Sequence, residues 1–343
     1  MKACVYVELE DRLAHSGIGA SARQQRTALE ANGVEVTDDP TEDGIDVLDV
    51  NTVGPFSLYH IWRAKRRGTT VVIHSHVTGE DFQESFRGSN LLAPLVKRYV
   101  RWFYNKADAV VCPSEYTKRI LEDYPVEPPI YPVSNGVDIA SLEGHEELRD
   151  EYRDRYGLSG TVFFAVGHVF ERKGLSTFCE LAQAFPDIDF VWFGEIMDNL
   201  LGSSVVKRWT RDPPDNVTFT GYIEDIRGGF GAGDVFLFPT HEENQGIAVL
   251  EAMACEKAVL VSDIPVFEEF LTDGEDCLKA SRFDEYADAV ERLGEDDELR
   301  EELGEAARES AEAHALERVG ATLKAVYEGL LGGEDDADDG GDG

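Results

Sequence analysis

Two glutamates eight positions apart, Glu243 and Glu251, stand in the stretch HEENQGIAVLEAMA at residues 241–254. A carboxylate offers two acceptor oxygens and no donor, which suits it to gripping the paired hydroxyls of a sugar or a ribose. The apolar run at 234–239 reads as a buried parallel strand, and 246–255 reads as the helix that follows it. Glu243 then lies in the strand-to-helix turn and Glu251 lies inside the helix. In open α/β sheets, ligands bind at the carboxyl ends of strands. The amides near Gly246 and Ile247 would aim unpaired N–H groups, and the positive end of the helix, at an anionic or hydroxyl-rich ligand. In a chain with 68 acidic residues the plain alternative is solvated surface, so the remaining motifs have to decide.

A second stretch, GHVFERKG at 167–174, follows the first apolar run of the second half and opens another helix. Arg172 and Lys173 there could clamp a diphosphate, and cations at a helix start are unfavourable unless an anion joins them. The loop HSGIGA at 15–20 places Gly17 and Gly19 before a helix, where glycine lets a backbone approach a ligand closely. It lacks the third glycine of a dinucleotide fingerprint, which speaks against nicotinamide binding. His74 and His76 close a strand; two ligands do not make a metal site, and a histidine that hydrogen-bonds substrate is the better reading for His76. Between Trp62 and Arg119 eleven basic residues outnumber five acidic ones. Within that segment Arg63, Lys65, Arg66 and Arg67 are followed by Lys97, Arg98 and Arg101. A helical wheel over 91–105 puts the last three on one face, with Leu92, Leu95, Val96, Tyr99, Trp102 and Phe103 on the other. This is either a core helix with a solvated basic face or a patch for anionic lipid headgroups or a phosphorylated acceptor.

The elements that must position these residues follow from hydrophobic rhythm. Short apolar runs at 3–7, 34–37, 47–50, 70–73 and 109–112, then at 162–166, 190–193, 217–220, 235–238 and 259–261, alternate with helical periodicity. That rhythm predicts an α/β protein with two doubly wound parallel sheets. The proline-rich stretch at 124–132 lies between them. The expected organisation is an N-terminal acceptor domain at 1–140, a donor domain at 141–315, a terminal helix at 316–331 packing back on the first domain, and a disordered acidic tail at 332–343.

Composition narrows the function class. The net charge of −36 repels nucleic acid phosphate. With 32 basic residues, most of them arginine, against 68 acidic ones, the surface predicts adaptation to concentrated salt. The cysteines at 4, 112, 179, 255 and 277 include no CxxC pair and read as buried apolar residues in a reducing compartment. No apolar stretch reaches the roughly 18 residues that a membrane span needs. These features predict a cytoplasmic protein, peripheral at most on the inner face of the membrane.

Taken together the motifs resemble family 4 of the retaining glycosyltransferases, whose GT-B fold sets two Rossmann-like domains around a central cleft. The resemblance assigns Glu243 and Glu251 to the E-x7-E signature, the first on the donor sugar and the second on the nucleotide ribose. Arg172 and Lys173 match the basic pair on the donor diphosphate, and His76 matches the histidine that reaches the donor sugar. It implies a nucleoside diphosphate sugar, uridine-linked, as co-substrate and no required metal or other cofactor. The acceptor hydroxyl would attack from the front face and lose its proton to the leaving phosphate. A narrower likeness in SHVTGEDFQESFRGSN, VGHVFERKG and FVWFGE points to enzymes that add a hexose to diacylglycerol or a glycolipid. Alternatives are a polyprenyl-phosphate-linked glycan or soluble sugar acceptor, or a sugar-nucleotide epimerase of the same architecture.

Overall fold

The computed structural model describes residues 1–14, 16–78, 89–196 and 204–332. His15, residues 79–88 of the SHVTGEDFQESFRGSN stretch and residues 333–343 of the tail expected at 332–343 lie outside the described residues. In chain order the first elements are β1 (Lys2–Tyr6), α1 (Glu10–Leu13), α2 (Gly17–Ala31), β2 (Glu35–Thr37), β3 (Val47–Val50), α3 (Pro55–Arg67), β4 (Thr70–His74), α4 (Ser89–Tyr104), β5 (Ala109–Cys112), α5 (Glu115–Glu122) and β6 (Ile130–Pro132). There follow α6 (Arg149–Tyr156), β7 (Val162–Val166), α7 (Leu175–Ala184), β8 (Asp189–Phe193), α8 (Ser204–Arg211), β9 (Val217–Gly221), α9 (Ile226–Ala232) and β10 (Val235–Phe238). The chain ends with α10 (Ile247–Ala254), β11 (Ala258–Ser262), β12 (Leu278–Ala280), α11 (Phe283–Glu295), α12 (Asp297–Glu312) and α13 (Leu316–Gly332). It divides into two units, Met1–Gly79 with Ala93–Gly136 and His314–Gly343, and Val137–Ala313 with Glu80–Leu92.

The first unit holds a six-stranded sheet in the order β2-β1-β3-β4-β5-β6, with its strands paired in parallel. Successive strand residues serve opposite faces, as the pleat requires. Leu48, Val50, Val71, Ile73, Val110 and Cys112 pack against α3 and α4, whereas Val47, Val72 and Val111 pack with Ala22 and Leu29 of α2 and Leu323 and Tyr327 of α13. A parallel sheet covered on both faces explains why its strands read as continuous apolar runs. Helix α13 reaches α2 through Gly320, where a Cβ would stand 2.0 Å from the Ala28 carbonyl oxygen. The strand order reverses between β1 and β3, so the crevice of this unit opens at their carboxyl ends.

The second unit is a parallel sheet ordered β12-β11-β10-β7-β8-β9. On one face Phe163, Phe190, Trp192, Val235 and Leu260 pack with Phe178 of α7, Trp209 of α8 and Val290 of α11. Its reversal point lies between β7 and β10. Each sheet has a sixth strand that the apolar rhythm did not announce, β6 and β12, of three residues each. Strand β6 falls within the proline-rich stretch expected to be a connection. It is an edge strand, where the missing Pro132 N–H costs no ladder bond.

Candidate functional site

The loops after β7 and β10 meet at the reversal point of the second sheet. Arg172 and Lys173 lie in a short 3₁₀ turn (Glu171–Lys173) ahead of α7, not in its first helical turn. Gly174 follows with φ +80°, and a Cβ there would stand 2.0 Å from the Pro239 carbonyl oxygen. Only glycine permits that approach, which brings the basic turn onto the acidic loop. The two loops are then stitched together. His241 N–H donates to the Arg172 carbonyl at 2.8 Å. The Thr240 hydroxyl reaches the Arg172 and Glu242 carbonyls at 3.0 and 3.1 Å, and Arg172 Nη1 donates to the Glu242 carbonyl at 2.7 Å.

At this junction Lys173 Nζ donates to Glu243 Oε1, and Arg172 Nη1 lies 3.7 Å from the same oxygen. Glu243 is 8% exposed, and Lys173 also stands over the Phe238 ring at 4.7 Å. Helix α10 begins just beyond. Val249 and Leu250 N–H groups return to the Gly246 carbonyl, which leaves the preceding amides as the helix N-terminus. Gly246 has φ +89°, and a Cβ would press on Val249 and Phe267 at 3.2 and 3.3 Å. Glu251 is half-buried further along α10. The structure thus gathers Arg172, Lys173, Glu243, Gly246 and Ile247 into one loop cluster. Two cations, helix amides and an acceptor carboxylate can hold a ligand that is anionic at one end and hydroxyl-rich at the other.

In the first unit His76 follows β4, its ring stacked on that of His74 at 5.4 Å. His76 Nε2 lies 2.7 Å from Asn51 Oδ1. Burial and the neighbouring His74 hold the His76 imidazole below its ordinary range, down to about 3, so the ring is neutral. Behind it runs a buried polar chain of Asn51, Gln25, Asp49, His74 and Tyr327. Gly17 has open space at its Cβ position, but Gly19 does not. A Cβ on Gly19 would meet the Leu13 carbonyl oxygen at 2.2 Å, so packing of α1 on α2 already demands that glycine. Among the described residues no group of three His, Cys, Asp or Glu side chains is arranged to hold a metal ion.

In α4 only part of the apolar side that the wheel suggested reaches the core. Val100 and Phe103 are buried, whereas Leu95, Tyr99 and Trp102 are exposed, Trp102 by 47%. Phe56, Tyr59 and Trp62 of α3 are exposed as well. Arg66 stacks over Trp62 at 4.7 Å, and Tyr99 O–H donates to the Val53 carbonyl at 2.6 Å. Arg66, Arg98 and Arg101 are exposed. Lys65 pairs with Asp108 at 2.6 Å and Arg67 with Asp43 at 3.7 Å, Arg63 donates to the Thr41 carbonyl, and Lys97 lies over Tyr124. No helix among the described residues is long and apolar enough to cross a membrane.

A profile of the glycosyl transferases group 1 matches residues 149–310, and one of glycosyltransferase family 4 matches 40–141. The chain is 32% identical to a processive diacylglycerol α-glucosyltransferase of Acholeplasma laidlawii, over 96% of this chain and 99% of the relative. The chain belongs to glycosyltransferase family 4. This family 4 transferase is also 29% identical to an α-galactosylglucosyldiacylglycerol synthase of Streptococcus pneumoniae, over 79% of this chain and 75% of the relative. Anabaena HepE superposes on the transferase with a TM-score of 0.74 at 17% identity, covering 96% of this chain and 100% of HepE. Sucrose-phosphate synthase of Thermosynechococcus elongatus superposes with 0.77 at 17% identity, covering 97% and 100%. These are likenesses of fold, and the fold is GT-B. The epimerase alternative finds no support among these relatives. What no sequence signal announced in this transferase is the chain behind His76, the Gly174 contact and the exposed aromatic residues of α3.

Proposed function

We propose that this family 4 transferase moves a hexose from a nucleoside diphosphate sugar, uridine-linked, to a hydroxyl of a membrane lipid or glycolipid. Arg172 and Lys173, with the α10 amides, take the charge that develops on the departing diphosphate, so the reaction needs no metal. Glu243 holds the sugar hydroxyls, Glu251 the ribose, and His76 serves the sugar as a neutral hydrogen-bonding group. Lys173 and Glu243 hold each other until the donor arrives, which keeps both side chains ordered for it. The leaving phosphate accepts the proton of the attacking hydroxyl.

The observation that carries the lipid acceptor is the exposure of aromatic and basic side chains on α3 and α4. Phe56, Tyr59, Trp62, Leu95, Tyr99 and Trp102 are exposed, as are Arg66, Arg98 and Arg101, on a protein whose net charge is −36. Tryptophan and tyrosine favour the membrane–water boundary, and each basic residue near an anionic surface contributes about 1 kcal/mol. Relatives named for transfer to diacylglycerol and its glycolipids point the same way. The test is flotation of the protein with phosphatidylglycerol vesicles, wild type against a Trp62→Ala/Trp102→Ala/Arg66→Gln/Arg101→Gln variant. The wild type should float and glycosylate lipid in the vesicle, and the variant should remain at the bottom. A variant that floats and transfers as well as the wild type would remove the membrane from this reading.

A further inference from the structure

We infer that Asp49, acting through Gln25 and Asn51, fixes the proton of His76 on Nε2 and so makes Nδ1 the acceptor nitrogen of its ring. This rests on the reading of His76 as a group that meets the sugar. Asp49 lies on the central strand β3 with 0% of its surface exposed, and Gln25, Asn51, His74 and Tyr327 around it are at most 4% exposed. A buried carboxylate in the middle of a sheet is expensive, so its retention calls for a reason. As a carboxylate it only accepts. Gln25 must therefore turn its amide nitrogen to Asp49 Oδ2, at 2.5 Å. The Gln25 oxygen is then left for Asn51 Nδ2, at 3.0 Å. Asn51 in turn presents its oxygen to His76 Nε2, at 2.7 Å, which must carry the hydrogen.

Reversing any one amide would set oxygen against oxygen at one end and N–H against N–H at the other, so the chain turns only as a whole. Asp49 prevents that, because Tyr327 O–H and His74 Nδ1 also point at it. Burial, and then the charge of Asp49, raise the Tyr327 phenol well above its ordinary range, which keeps it a donor. Asp49, Gln25 and Asn51 are positioning residues, and His76 is the group they act through. The same device orients a histidine wherever the partner on one ring nitrogen decides the role of the other.

The experiment is nitrogen NMR of the full chain labelled with ¹⁵N-histidine, with the His76 signal identified by its loss in His76→Gln. The wild type should show a neutral ring protonated on Nε2, a result that needs no further variant. Asp49→Asn frees the amides to turn, so the folded variant should show mixed tautomers and a turnover about tenfold lower or worse. The exchange Asp49→Asn/Asn51→Asp moves the acceptor next to His76 and should restore both the Nε2 proton and much of the turnover, which a merely structural role would not do. A wild-type ring protonated on Nδ1, or an Asp49→Asn tautomer unchanged, would overturn the relay. If the spectra behave as expected while His76→Gln transfers at full rate, the relay stands and the assignment of His76 to the sugar falls.

Discussion

Glu243 carries a negative charge into a nearly closed junction and meets it there with Lys173 and, at 3.7 Å, Arg172. Charge-assisted hydrogen bonds of this kind contribute about 1.5–3 kcal/mol. Glu243→Gln keeps the shape and halves the acceptor capacity, so turnover should fall about 10- to 100-fold with folding intact, as checked by steady-state transfer and circular dichroism. Full activity in that variant would remove Glu243 from the donor site. Gly174 allows a sharper comparison, because Gly33 shares its left-handed backbone, φ +74° against +80°, with nothing within 4 Å of its Cβ position. Gly33→Ala should cost about 1 kcal/mol in urea unfolding. Gly174→Ala should cost clearly more, since Pro239 stands in the way, and should weaken donor binding too. Glu243, Arg172 and Lys173 were legible in the sequence because each sits beside its own strand run. Asp49, Gln25 and Tyr327 were not, since the bonds joining them link positions 24 and 278 residues apart and each looks like any other polar residue.

At the scale of elements, the long apolar strands were legible because both faces of each sheet are covered, while the three-residue edge strands β6 and β12 were too short to leave a period. Helix α4 shows a different limit. The wheel over 91–105 divides charged from apolar side chains, yet polarity does not say which apolar residues reach the core. Val100 and Phe103 do; Leu95, at 66% exposure, does not. The terminal helix α13 makes a stronger demand, for it supplies Tyr327 to Asp49 and lies against α2 at Gly320. Gly320→Val would drive a branched side chain into the Ala28 carbonyl, so the helices must part. A loss of about 1–3 kcal/mol in unfolding free energy is expected, with faster hydrogen exchange along α13. Unchanged exchange there would mean that α13 tolerates separation from α2.

At the scale of the whole molecule, −36 charges repel one another across the surface, and in molar salt the screening length falls to about 3 Å. The unfolding midpoint should therefore rise steeply between dilute buffer and about 2 M salt. Salt also uncovers a pH dependence that the surface charge would blur. Burial holds His60, His76, His145 and His314 below their ordinary range, His76 down to about 3. Each takes up a proton less readily in the fold than when unfolded, so the unfolded state binds more protons below about pH 6.5 and stability falls as pH falls. For His76 the loss is up to about 1.4 kcal/mol per pH unit, and it continues until about pH 3, where the folded ring protonates as well. Carboxylates protonating below about pH 5 relieve repulsion and oppose this trend in dilute buffer. In about 2 M salt that relief is already supplied by screening, so stability measured by urea should decline steadily from pH 7 to 5. His76→Gln should make that decline shallower whatever it does to stability at pH 7, because it removes one of the rings that titrate differently in the two states. An identical slope in the variant would mean that His76 takes up its proton equally well folded and unfolded.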